Sequence, residues 1–126
     1  MSKDNLQILV LDDEPIVGKR LKTALEKSGY AVEVFEDARE ALRRSDEKTF
    51  DIIVTDVRME EVDGLQVLEH VLERSARSKV IVITGYATVE VAREALAKGA
   101  FDFIAKPFKP DDLRQVITRA AAVLKG

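Results

Sequence analysis

Five short apolar blocks separated by helical segments constrain the fold of this 126-residue chain more than any other feature. The blocks read LQILVL, AVEVF, DIIVT, VIVIT and FDFIA. Almost continuously apolar blocks are typical of strands buried on both faces, whereas the alternating AVEVF indicates a strand nearer the sheet edge. Between the blocks, apolar residues recur at helical spacing. Five strands alternating with five helices predict parallel βαβ units, and hence an α/β three-layer sandwich with helices on both faces of one sheet.

Individual residues predict where the helices begin and end. Pro15 is expected to open the first helix, because the missing N–H of proline is harmless in the first turn. Gly29 and Gly99 are expected to end the first and fourth helices. The segment Asp37–Glu40 has the pattern of a capping box at the start of the second helix. Charged runs such as EDAREALRRSDEK are expected to be solvated faces.

Composition indicates one ordinary globular domain over residues 1–126 and disfavours several classes of function. Apolar residues make up 46% of the chain and charged residues 34%, which is usual for a folded domain. The net charge of −3 argues against direct nucleic-acid binding, which relies on a basic surface. The chain has no cysteine, which excludes disulfides and thiolate metal sites. A polar N-terminus and short apolar runs predict no signal peptide, no membrane contact and a cytoplasmic location.

Polar side chains stand at the ends of four of the predicted strands. Asp12 and Asp13 follow the first strand, Asp56 ends the third, Thr84 the fourth and Lys106 the fifth. Ligands of open α/β sheets bind beyond the carboxyl ends of the strands, so these side chains are expected to meet. Three carboxylates close together repel one another unless a cation neutralises them. Lysine supplies one positive charge, and Mg²⁺, which prefers oxygen ligands, would supply the remainder.

Four motifs in this order are similar to those of a known family. LDDEP, VTDVRM, VITGYAT and FIAKPF together resemble the receiver domain of bacterial two-component response regulators, and the resemblance covers essentially the whole chain. It implies a flavodoxin-like fold with a five-stranded sheet in the order 2-1-3-4-5. It also implies a phosphorelay function, in which the domain changes conformation on phosphorylation to control an output domain or partner.

The resemblance assigns the acidic residues to phosphoryl transfer and metal binding. Asp56 is implied to accept a phosphoryl group from a phosphohistidine on a sensor kinase or phosphotransfer protein. Asp13 and Asp56 are implied to hold Mg²⁺ directly and Asp12 largely through water. The backbone carbonyl of Arg58 is implied to complete the protein ligands of the metal.

The resemblance also implies a conformational switch. Thr84 is expected to hydrogen-bond a phosphoryl oxygen, Lys106 to pair with the phosphoryl group, and Phe103 to occupy the aromatic switch position. Two positions depart from the family pattern. Met59 is followed by Glu60 where proline is usual, which leaves the rigidity of that loop open. Phe103 is often tyrosine in the family, so its switching here must rest on burial rather than on a hydroxyl group.

Further expectations concern kinetics and partners. Arg58 and Tyr86 are expected to flank the path of the water that attacks the phosphoaspartate, and their bulk predicts slow self-dephosphorylation. The domain is thus expected to catalyse its own phosphorylation without being a turnover enzyme. Ile16 and Arg20, on a different face of the first helix from its core residues, are expected to dock the kinase. The face formed by the fourth helix, the last strand and the last helix is expected to carry an output contact or a phosphorylation-dependent homodimer.

Three other functions were weighed from the same residues. A phosphatase with an aspartyl nucleophile usually needs a second acid two residues beyond the nucleophile, where this chain has Arg58. A dinucleotide-binding sheet needs a glycine-rich turn after the first strand, where this chain has DDEP. A pseudo-receiver interaction module of the same fold remains an alternative, disfavoured because no member of the acidic pocket is missing. The chain is expected to be either a single-domain regulator or a receiver excised from a longer one.

Overall fold

The computed structural model describes residues 6–57, 64–85 and 89–125, in which strands and helices alternate as the apolar blocks predict. In chain order the elements are β1 (Gln7–Leu11), α1 (Pro15–Lys27), β2 (Ala31–Phe35), α2 (Ala38–Glu47), β3 (Ile52–Asp56), α3 (Gly64–Arg74), β4 (Lys79–Thr84), α4 (Val89–Ala97), β5 (Asp102–Ala105) and α5 (Pro110–Lys125). None of the helices in these ranges is long and apolar enough to cross a bilayer.

The five strands form one parallel sheet in the order β2-β1-β3-β4-β5. The predicted order 2-1-3-4-5 is therefore confirmed. The chain moves outward from β1 to β2 and then returns to the other side of β1 to form β3. This reversal of direction opens a crevice beyond the carboxyl ends of β1 and β3, where ligands of such sheets bind.

Both faces of the sheet are buried, because alternate residues of the central strands point to opposite sides. One face packs against α1 and α5, and the other packs against α2, α3 and α4. On the first face lie Ile8, Val10, Ile52, Val54, Ile81 and Ile83, with Leu21, Leu25, Leu113 and Ile117 from the helices. On the second lie Leu9, Leu11, Ile53, Val80 and Val82, with Ala41, Leu68 and Ala95. The result is the predicted three-layer sandwich.

The helix boundaries agree with the signals in the sequence. Pro15 is the first residue of α1. Gly29 and Gly99 have φ angles of 97° and 106°, a left-handed conformation that favours glycine at the end of a helix. Asp37 is the N-cap of α2, and its Oδ1 accepts a hydrogen bond from the backbone N–H of Arg39 at 2.8 Å.

Candidate functional site

The carboxyl ends of the strands bring together the polar residues that the sequence singles out. Asp12, Asp56 and Thr84 are buried, with exposed fractions of 0%, 4% and 0%, whereas Asp13 is exposed. One carboxylate oxygen from each of Asp12, Asp13 and Asp56 lies within 4.8 Å of the others. These three acids therefore form one cluster in the crevice beyond β1 and β3.

Lys106 connects this cluster to the end of β5. Its ammonium donates hydrogen bonds to Asp56 Oδ2 at 2.7 Å and to Glu14 Oε1 at 2.8 Å. It also lies 2.8 Å from Asp12 Oδ2, and its side chain is only 16% exposed. The backbone N–H of Lys106 donates to the carbonyl of Thr84 at 2.7 Å, which fixes the lysine beside the end of β4. Sequence analysis predicted this lysine but assigned no role to Glu14.

The electrostatics of the site favour binding of a cation. Burial raises the pKa of the Asp12 carboxyl above its ordinary value, against the lowering effect of Lys106 and of the Glu14 N–H. Burial alone would lower the pKa of Lys106, but Asp12, Asp56 and Glu14 together raise it above the usual range. The lysine is therefore a permanent cation. When ionised, Asp12, Asp13, Glu14 and Asp56 carry four negative charges against its one.

The donor set fits a hard divalent ion. Asp12 Oδ2 is buried and has no hydrogen bond of good geometry to the described residues, although the Lys106 ammonium lies near it. The Asp13 carboxylate is exposed, so it can turn toward a metal without a further desolvation cost. Mg²⁺ prefers oxygen ligands and keeps several waters, and the exposed side of the site at Asp13 leaves room for those waters. Asp12, Asp13 and Asp56 would therefore hold such an ion.

The backbone around Asp56 is held by direct packing of α3. The N–H of Val57 donates to the carbonyl of Ile83 at 3.0 Å, and the N–H of Gly64 donates to the carbonyl of Val57 at 2.9 Å. A Cβ at position 64 would lie 2.1 Å from the carbonyl oxygen of Asp56, which is far closer than two such atoms can approach. Only glycine therefore allows α3 to begin at this distance from β3. The sequence, in which Gly64 follows Asp63, gives no indication of this contact.

Phe103 lies on β5, opposite Val82 in the pairing of β4 with β5. It is half-buried and packs against the apolar cluster shared by α2, α3 and α4. An aromatic ring in this position has part of its surface still to bury, which is compatible with a switch driven by burial. Arg58 and Tyr86, together with Met59 and Glu60, lie outside the described residues.

The residues predicted to dock a kinase lie on the exposed part of α1. Ile16 is 57% exposed, and Arg20 is exposed as well. Arg20 lines a cavity of about 420 Å³ between α1 and the start of α5, whose other walls are Glu14, Val17, Leu21, Lys106, Pro107, Phe108 and Pro110. The cavity and the acidic cluster share Glu14 and Lys106 as a common wall. A partner seated there would lie beside the acidic cluster.

Comparison with known proteins identifies the relatives of this chain. The family model of the response regulator receiver domain matches residues 8–118. The chain is 37% identical over 122 residues to the transcriptional regulatory protein ZraR of Escherichia coli O157:H7, covering 97% of this chain and 28% of ZraR. It is 39% identical over 114 residues to the regulatory protein AtoC of Escherichia coli strain K12, covering 90% of this chain and 25% of AtoC. The chain thus spans about a quarter of the length of these relatives.

Solved structures agree with the sequence relatives. A CheY-like response regulator receiver domain protein from Methanospirillum hungatei JF-1 superposes with a TM-score of 0.91 at 30% identity, covering 95% of this chain and 96% of that one. The beryllofluoride-activated NtrC4 receiver domain dimer gives a TM-score of 0.89 at 36% identity, covering 94% and 98%. With the fold, the acidic cluster and the lysine in place, the chain belongs to the receiver domains of two-component response regulators.

Proposed function

We propose that Asp56 is the phosphoacceptor of this receiver domain. The observation that carries the proposal is the position of its carboxylate, which lies 2.7 Å from the Lys106 ammonium and within 4.8 Å of oxygens of Asp12 and Asp13. Asp56 also ends a strand of five buried residues. Its backbone is therefore fixed while its side chain faces the crevice, which is the arrangement that an attacking group requires.

The reaction transfers a phosphoryl group to Asp56 from a donor, which is either a phosphohistidine or acetyl phosphate. A carboxylate oxygen of Asp56 forms a bond to phosphorus as the P–N bond of a phosphohistidine breaks. The electron pair of that bond stays on the imidazole nitrogen, which takes a proton. With acetyl phosphate, the P–O bond breaks and acetate leaves. Lys106 faces the incoming group and offsets its negative charge, and Mg²⁺ held by Asp12, Asp13 and Asp56 would supply further charge stabilisation.

Phosphoryl uptake from acetyl phosphate tests the role of Asp56. The parent protein, incubated with acetyl phosphate and Mg²⁺, should gain the mass of one phosphoryl group in intact mass spectrometry. Asp56→Asn should abolish this gain. Glu36→Gln is the matched control, because it removes an exposed acid that follows β2 at the same edge of the sheet. Full labelling of Asp56→Asn would show that another residue is the acceptor.

The kinase is proposed to dock on α1 beside the reactive pocket. A 57% exposed isoleucine, Ile16, on the helix that follows Asp13 along the chain supports a small apolar contact. Arg20 of the same helix lines the cavity of about 420 Å³ beside Lys106. Ile16→Glu should slow transfer from a histidine kinase that phosphorylates the parent, while labelling by acetyl phosphate stays unchanged. Val123→Glu, at a similarly exposed position on α5, is the control. Equal slowing of both reactions would mean damage to the pocket or the fold.

The output of the domain is proposed to pass through α4, β5 and α5. Thr84 ends β4, the strand beside that of Asp56, and Phe103 lies on β5 itself. Leu96 on α4 and Val123 on α5 are exposed apolar side chains. We propose either an output contact or a phosphorylation-dependent homodimer there. Light scattering with and without beryllofluoride distinguishes the two. A doubled mass would indicate the homodimer, and an unchanged mass would leave only the output contact with another domain or protein.

The wider setting follows from the relatives. ZraR is named a transcriptional regulatory protein, which supports a role for this domain as the receiver part of a cytoplasmic regulator of transcription. Any contact with DNA would then be made by an output domain and not by residues 1–126. Binding of DNA by the receiver alone, measured by fluorescence anisotropy, would contradict this assignment.

The lifetime of the phosphorylated state is proposed to depend on Arg58 and Tyr86. Bulky side chains over the path of the attacking water should slow hydrolysis, because that water must lie in line with the leaving oxygen. Arg58→Asn combined with Tyr86→Glu should therefore accelerate loss of the phosphoryl group without preventing its uptake. A change of about 1.4 kcal/mol in the barrier corresponds to a tenfold change in lifetime. Unchanged loss in the variant would contradict the proposal.

A further inference from the structure

Glu14 occupies the N-cap position of α1 but does not cap that helix. Within the described part of the chain, its side chain accepts no hydrogen bond from the backbone N–H groups of the first turn. Capping by an acidic side chain is normally favourable, because it satisfies those groups at the positive end of the helix. The Glu14 carboxylate instead lies 2.8 Å from the ammonium of Lys106, which is 92 residues away in sequence. The backbone N–H of Glu14 meanwhile donates to Asp12 Oδ1 at 2.8 Å.

The ammonium of Lys106 has only three N–H donors, and three carboxylates surround it. Asp56 and Glu14 accept hydrogen bonds at 2.7 and 2.8 Å, and Asp12 Oδ2 lies at 2.8 Å. A phosphoryl group on Asp56 adds acceptor oxygens beside the same ammonium. The incoming oxygens therefore compete with the carboxylates already present for the N–H groups of this lysine.

The three carboxylates differ in what it costs them to leave the lysine. The side chains of Asp12 and Asp56 are 0% and 6% exposed, so an ionised group there has no water to replace a lost partner. The side chain of Glu14 is 60% exposed and can turn into solvent. Glu14 is therefore the partner that competes with an incoming anion and can also be displaced by it.

We infer that Glu14 is a positioning residue that competes with the phosphoryl group for Lys106 and so weakens the phosphorylated state of this domain. The inference rests on the proposed role of Asp56. Two effects act in the same direction, because the Glu14 carboxylate both engages the lysine and repels the negative phosphoryl oxygens. The expected size is modest, since exposed ion pairs are individually weak.

Beryllofluoride, which mimics a phosphoryl group on a carboxylate, measures this competition at saturating Mg²⁺. Its affinity can be followed by the ¹⁹F NMR signal of the bound form. Glu14→Gln keeps the size of the side chain and removes its charge, and should raise the affinity about three- to fivefold. Glu36→Gln removes the same charge at the same edge of the sheet without removing a Lys106 partner, and should leave the affinity within about twofold.

A second measurement separates competition from a structural role. The midpoint of thermal unfolding of Glu14→Gln without Mg²⁺ should stay close to that of the parent, because the side chain is largely exposed, caps nothing and makes only a weak ion pair with Lys106. Equal beryllofluoride affinity in Glu14→Gln and the parent, or an equal gain in Glu36→Gln, would overturn the inference alone. A parent that binds no beryllofluoride would overturn the proposed role of Asp56 and this inference with it.

Discussion

Two charged clusters of this domain are built in opposite ways. In the acidic pocket, one ammonium serves Asp12, Glu14 and Asp56, and Asp13 lies nearby. At the β2 edge of the sheet, the single carboxylate of Glu33 accepts hydrogen bonds from two cations. Arg44 donates at 2.9 and 3.1 Å and Lys48 at 3.2 Å. The pocket has one cation for several acids, whereas Arg44 and Lys48 of the edge cluster face two carboxylates, those of Glu33 and Glu47.

The pKa values of the two acids reflect this difference. Hydrogen bonds from Arg44 lower the pKa of the Glu33 carboxyl, with Lys48 adding to the effect. Burial raises the pKa of the Asp12 carboxyl despite the neighbouring Lys106. Charge at Glu33 therefore stabilises the fold, whereas charge at Asp12 destabilises it until a ligand arrives. In this domain, the candidate binding site holds a carboxylate whose charge destabilises the fold, and the structural ion pair holds one whose charge stabilises it.

The largest expected difference between the clusters is in how far a substitution in each one changes the stabilisation of the fold by Mg²⁺. A ligand that binds only the folded state raises the free energy of unfolding by about 2.7 kcal/mol at a hundred times its Kd. We expect this gain in the parent and in Glu33→Gln, because the edge cluster takes no part in metal binding. Asp13→Asn should lose most of it. Thermal unfolding with and without Mg²⁺ measures the gain, and an undiminished gain in Asp13→Asn would remove that residue from the metal site.

Without metal, Asp12→Asn should make the domain more stable by about 1 kcal/mol, because an amide keeps the shape of the side chain and removes a buried charge. Phosphoryl uptake should fall in the same variant. Urea unfolding measures the first effect and intact mass the second. A variant less stable than the parent would mean that Lys106 stabilises ionised Asp12 more than burial destabilises it.

Glu33→Gln should have the opposite effect on stability and none on uptake. The free energy of unfolding should fall by about 0.5 to 1 kcal/mol, since the carboxylate is partly exposed and such pairs are weak in water. Phosphorylation by acetyl phosphate should proceed at the parent rate. Glu47→Gln, which removes a more exposed partner of Arg44, is the control and should change stability less. Slower phosphorylation of Glu33→Gln would connect the two clusters.

The smallest expected effect is the change of the free energy of unfolding with pH. It should show that charge on Glu33 stabilises the fold and that charge on Asp12 destabilises it. The folded pKa of Glu33 lies below its ordinary value of 4.5, so its contribution is present above that value and is lost as pH falls through the folded pKa. The folded pKa of Asp12 lies above 3.8. The free energy of unfolding of Asp12→Asn should therefore exceed that of the parent by an amount that grows as pH rises from 3.8 through the folded pKa. Both differences from the parent should vanish in strong acid. Urea unfolding from about pH 3 to 7 measures them, and parallel curves for parent and variants would contradict both signs.

The fold and most of the pocket could be predicted because they follow from the order of strands and helices along the chain and from the residues that end each strand. Parallel strands share a carboxyl edge, so residues that end neighbouring strands, such as Asp56 and Thr84, must meet. Glu14 was missed because its contact with Lys106 depends on the rotation of an exposed side chain, which no sequence pattern specifies. The charged run was predicted to be a solvated face, and most of its charged side chains are exposed. The contacts of Arg44 and Lys48 with Glu33 on the adjacent strand were not predicted.

The contact between Gly64 and the Asp56 carbonyl restricts how the sequence of this domain can vary. The smallest side chain would place its first carbon 2.1 Å from that oxygen, so the chain has no gradual route by which position 64 could acquire a larger residue. Gly85 is the contrasting case, because no described atom lies within 4 Å of the place where its Cβ would stand. Two glycines near the same edge of the sheet thus face unequal constraints. Position 85 has room for a Cβ among the described residues, but position 64 can take one only if β3 and α3 move apart together.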